Sequence, residues 1–89
     1  MSYHLKTYQD KSGRGLNIIY MSGAIDAVDW GQWQATTSLL NSDLDTLVVV
    51  DSPGGEIPGS AFLINKIDTF IQEQAANGHK VAIYINKNS

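Results

Sequence analysis

The chain has 89 residues, 43% of them hydrophobic and 17% charged, with a formal net charge of −3 and an isoelectric point near 5.0. This suits one small globular domain, residues 1–89, and not a disordered chain. The Lys and Arg form no cluster that would track a nucleic-acid backbone, and no apolar run has the length of a membrane span. Without cysteine there is neither a disulfide framework nor a thiolate metal site.

The opening Met1-Ser2-Tyr3-His4-Leu5-Lys6 lacks the apolar centre of a secretory signal. The chain as written is therefore expected in the cytoplasm, or in the periplasm if a leader has been removed. Tyr3 to Tyr8 alternates as an edge strand would. The polar stretch Asp10-Lys11-Ser12-Gly13-Arg14-Gly15 marks a turn, and Leu16 to Met21 reads as a strand, so the opening suits a hairpin.

Asp29, with Gln32 three residues later, has the spacing of a capping box. Trp30, Trp33, Thr37 and Leu40 then recur at helical spacing and are expected to face the core; a ring-stacking ligand site is the less favoured use of the tryptophans. Asn41-Ser42-Asp43 ends this first helix.

Leu47-Val48-Val49-Val50 is an apolar, largely β-branched run, the pattern of a strand buried on both faces. It stops at Ser52-Pro53, because the residue before a proline is held extended and the proline lacks an N–H for a ladder. Gly54 and Gly55 follow, and a helical pattern starts near Pro58. Strand, bare glycine turn and helix start in succession converge free N–H groups and a helix dipole on one spot, an anion site. An ordinary turn that needs glycine for its angles is the alternative.

The second helix is expected over about 58–76. Leu63, Ile64, Ile67, Phe70 and Ile71 lie on one face, and Asn77-Gly78 gives a stop. A third core strand follows at Lys80 to Asn86. The fold class expected is α/β, a β-α-β-α-β parallel sheet with right-handed crossovers.

Asp51-Ser52-Pro53-Gly54-Gly55 after an apolar strand, then Ile57-Pro58-Gly59-Ser60-Ala61, resembles the ClpP-like serine peptidases of the ClpP/crotonase superfamily. Ile19-Tyr20-Met21-Ser22-Gly23-Ala24-Ile25-Asp26 is similar to the family's first-strand pattern, apolar residues ending in Gly-x-Ile. The resemblance covers roughly Leu16 to Ile85. It implies that the Gly54 and Gly55 amides form part of an oxyanion hole, and that Glu56, Ile57 and Pro58 occupy the place where an extended peptide substrate pairs. Pro58 lacks a donor for one of those contacts. In the family the nucleophilic serine follows the next strand, which falls at Ser89 or just beyond, and the histidine and acidic partner come later. By this resemblance the chain is the amino-terminal half of such a domain, truncated after the third core strand.

The residues themselves offer little further chemistry. His4 lies in a terminal segment, and His79 falls at the end of the second helix away from the glycine turn, a surface position and not a general base. Asp51 is expected to end its strand and bond the turn backbone; Asp26 and Asp29 suit a turn and a cap. Ser89 is a candidate nucleophile by position only, with no helix behind it to fix its geometry. No residue set has metal-ligand spacing, and no cofactor is implied.

Two functions from different classes follow. One is a hydrolase portion acting on a peptide or protein substrate, inactive alone. The other is a non-catalytic α/β module that binds a carboxylate or peptide, or completes a partner's sheet. In either case the apolar strand Val81 to Ile85 at the sheet edge implies self-association, or cover from the remainder of a larger chain.

Overall fold

The computed structural model describes residues 1–24, 29–53 and 57–86. The elements are β1 (Ser2–Gln9), β2 (Gly15–Ser22), α1 (Asp29–Thr37), β3 (Asp45–Asp51), α2 (Ile57–Ala76) and β4 (Val81–Asn86). They form a four-stranded sheet in the order β1-β2-β3-β4. β1 runs antiparallel to β2, while β2, β3 and β4 are mutually parallel. The protein is thus a small α/β domain with a mixed sheet: the parallel β-α-β-α-β unit is present, extended on one edge by the hairpin strand.

The hairpin closes through Asp10. Its carboxylate accepts from the Ser12 amide at 2.9 Å, the Ser12 hydroxyl at 2.6 Å and the Arg14 amide at 3.0 Å. The Ser12 hydroxyl and these amides hold the carboxyl below its ordinary value, against the opposing effect of burial. Gly13 takes a φ of +88° in this turn, where a side chain is disfavoured. Gly15 has a different reason: a Cβ there would strike the backbone carbonyl of Tyr8.

Both helices cover the same face of the sheet. Ile19 and Met21 of β2 and Val48 and Val50 of β3 are buried there against Trp33 of α1 and Ile67 and Phe70 of α2. Trp33 and Phe70 meet edge to face, with centroids 5.5 Å apart and planes at 88°. Tyr3, Leu5, Leu40, Ile71 and Val81 pack around this cluster. Trp33 is therefore a core residue.

Inside the same layer sits a polar staple. Asn17, 1% exposed, donates to the Asn41 carbonyl at 2.9 Å and accepts from the Asn41 amide at 3.1 Å and the Thr7 hydroxyl at 3.1 Å. One buried carboxamide thus satisfies both backbone groups of a loop residue and ties the hairpin to the turn after α1.

Three expectations need correction. α1 ends at Thr37 and not near Leu40. The run Thr36-Thr37-Ser38 explains it: the Thr37 and Ser38 hydroxyls bond back to Gln34 and Ala35 carbonyls, and the chain tightens to three-residue bonds at Leu39 and Leu40. Leu40 reaches the core from that turn. Second, Ile64 does not join the buried stripe of α2; it is 66% exposed. Third, β3 is not buried on both faces. Thr46, Val48 and Val50 are buried, but Leu47 and Val49 are only half-covered, because no described element lies on their side. The stop after α2 is as expected: Gly78, φ +82°, and His79 donate to the Ala75 and Gln74 carbonyls in a Schellman cap.

Candidate functional site

Parallel strands bring their carboxyl ends to one edge of the sheet, where α/β proteins bind ligands. Here that edge is drawn level by two backbone bonds, Gly23 N–H to the Asp51 carbonyl at 3.1 Å and Ser52 N–H to the Asn86 carbonyl at 3.3 Å. Gly23 turns away from β2 with a φ of +99°. Ser52 is buried, and Pro53 follows it, exposed, as the chain leaves β3 for α2. Pro53 thus follows the carboxyl end of a parallel strand, and α2 begins at Ile57.

Gly54, Gly55 and Glu56 themselves, and Ser89, lie outside the described residues. Ile57 and Pro58 open α2, so their backbone is helical. Strand addition by a peptide needs extended backbone, and these two residues do not offer it in this conformation.

Three side chains share this end of the sheet on its uncovered face. Tyr20 donates its phenol to Asp51 Oδ2 at 2.9 Å. His4 stands directly across from Tyr20 in the hairpin register. Asp51 therefore bonds a neighbouring strand's phenol. Its Oδ1 is buried without a partner among the described residues. The hydrogen bond to Asp51, with some desolvation and the carboxylate's charge, raises the Tyr20 phenol above its ordinary value. Sequence reading considered Asp51 and set His4 aside as terminal, but missed that three adjacent strands assemble them with Tyr20. Two-residue alternation alone does not reveal which strands are neighbours.

His79 lies at the opposite end. Its Nδ1 is 3.4 Å from Asp45 Oδ1 at the start of β3. The Lys80 amide, 2.9 Å from the same oxygen, is the main cause that holds the Asp45 carboxyl below its ordinary value, and His79 adds to it. A separate cleft of about 240 Å³ opens between the helices over Trp33 and Phe70, rimmed by Gln34, Thr37, Lys66, Thr69 and Glu73. It lies along the middle of α2, not at its N-terminus. Among the described residues no group of His, Asp and Glu is placed to hold a metal ion, and no helix is long and apolar enough to cross a membrane.

Comparison with known proteins gave no match. No family model, no curated protein and no solved structure is similar enough to this chain to carry an assignment.

Proposed function

We propose that the chain carries the oxyanion-binding portion of a ClpP-like serine hydrolase, acting on a peptide or protein substrate and inactive by itself. The supporting observation is that β3 ends at an edge shared by three parallel strands and that α2 starts at Ile57, so the sequence Gly54-Gly55 falls between a strand end and a helix start. There the Gly54 and Gly55 amides stabilise the negative oxygen of a tetrahedral intermediate. In measured enzymes one such donor is worth about 3–4 kcal/mol. The inactivity of the chain alone is favoured by its histidines: His79 stands at the far end of the sheet, and His4 on the face away from the helices.

The test uses a peptide boronate as a mimic of the intermediate. The wild-type chain binds it, and Gly55→Ala weakens binding roughly tenfold or more, about 1.4 kcal/mol, while lowering stability less. A wild type that does not bind, or a variant that binds equally, removes the proposal. A fluorogenic peptide stays uncleaved by either protein; turnover blocked by a serine-directed inhibitor would show that the chain is complete as an enzyme.

A second reading, a module that completes a partner's sheet, is favoured by the composition of β4 and its position at the sheet edge.

A further inference from the structure

Backbone geometry decides which groups β4 presents to its free edge. The Thr46 amide bonds the Lys80 carbonyl at 3.0 Å, and the Ser52 amide bonds the Asn86 carbonyl at 3.3 Å. Along a parallel strand, alternate residues turn both their N–H and C=O to the same neighbour. The even-numbered residues of β4 therefore serve β3. Val81, Ile83 and Ile85 turn their N–H and C=O outward, where no described element lies.

We infer that β4 pairs antiparallel with β4 of a second copy, with Ile83 on the two-fold axis, to make one continuous sheet across the dimer. Only outward-facing residues can exchange bonds, so odd positions must meet odd positions. With Ile83 opposite Ile83 of the second copy, Val81 meets Ile85 and Ile85 meets Val81. Every outward N–H then finds a carbonyl. Shifting the axis to Ala82 or Tyr84 strands one residue's groups, and placing it between Ile83 and Tyr84 sets outward groups against groups already used by β3.

The side chains fit the same alignment. Ala82 falls opposite Tyr84, small against large, and Lys80 falls opposite Asn86, so no like charges face each other. No charged residue interrupts 81–86, whereas the opposite edge strand, β1, carries Lys6 and His4, residues that discourage edge pairing. Ile83 and Ile85, 40% and 65% exposed on the helix side, and Tyr84, 59% exposed on the other, lose solvent contact along the seam. This association concerns the 89-residue chain by itself and goes beyond the hydrolase reading, under which the remainder of a larger domain would take the same edge.

The chain has no cysteine, so single cysteines report the register cleanly. Residues 82 and 84 are exposed and would form non-hydrogen-bonded cross-strand pairs, whose close Cα spacing suits a disulfide. Mixed Ala82→Cys and Tyr84→Cys proteins should form a disulfide-linked dimer under mild oxidation that neither variant forms alone. Sedimentation of the wild type should show a dimer. Ile83→Pro should shift it to monomer with the circular dichroism retained, since the Ile83 N–H serves no bond to β3. Should Ile83→Pro fail to fold, the cysteine pair decides alone. A monomer at all concentrations, cross-linking without preference for the mixture, or a dimer that survives in folded Ile83→Pro and is lost in Val49→Lys would overturn the inference.

Discussion

Tyr20 and Asp51 make the clearest case of one residue setting another's chemistry. The bond between them exists only while the phenol keeps its proton. Its stabilising contribution is therefore present below the ordinary tyrosine value near 10.0 and is lost as pH rises through the higher folded value. Absorbance titration should show Tyr20 ionising above the ordinary tyrosine value, and Asp51→Asn should bring it back toward that value. If Tyr20 titrates at the ordinary value in the wild type, the bond is not formed in solution. Little of this was legible beforehand. Asp51 was visible as a strand end, but its partner is fixed by sheet order, which lies 31 residues away in sequence. Asn17 is a similar case: its position inside an apolar strand reads as an interruption until Asn41 is brought beside it.

At the scale of elements, periodicity located each strand and helix of the described residues, because their apolar spacing is strong and their stops carry Gly, Pro or hydroxyl residues. What it misjudged was coverage. The stripe on α2 counts Ile64 and Phe70 as equals, yet Phe70 is 6% exposed and meets Trp33 edge to face, while Ile64 is 66% exposed. A helix is buried only where a neighbour reaches it, and spacing along the chain says nothing of that neighbour's extent. Phe70→Ala should cost about 3–5 kcal/mol in a denaturant melt, and Ile64→Ala should stay within about 0.5 kcal/mol of wild type. Equal losses would mean that Ile64 is covered in solution. The stop of β3 shows the other side of this: its place before Ser52-Pro53 was readable, because proline acts locally.

At the scale of the whole molecule, two helices on one side leave a sheet with unequal faces. Leu16, Ile18, Leu47 and Val49 are half-covered on the side without helices. The accessible surface is 5772 Å² for a chain of 9.7 kDa, against about 5,100 Å² expected for a monomer of that mass. The radius of gyration, 13.1 Å, likewise exceeds the roughly 12 Å of a compact chain this long. The excess has a thermal consequence. The heat-capacity change of unfolding measures apolar surface newly given to water, and here part of that surface is wet already. An ordinary chain of 89 residues would show about 1.1–1.3 kcal/mol/K. Scanning calorimetry on dilute, monomeric protein should return less, and a value at or above that range would mean the bare face is covered. A smaller heat-capacity change flattens the curve of stability against temperature, so the isolated chain should weaken only gently on cooling.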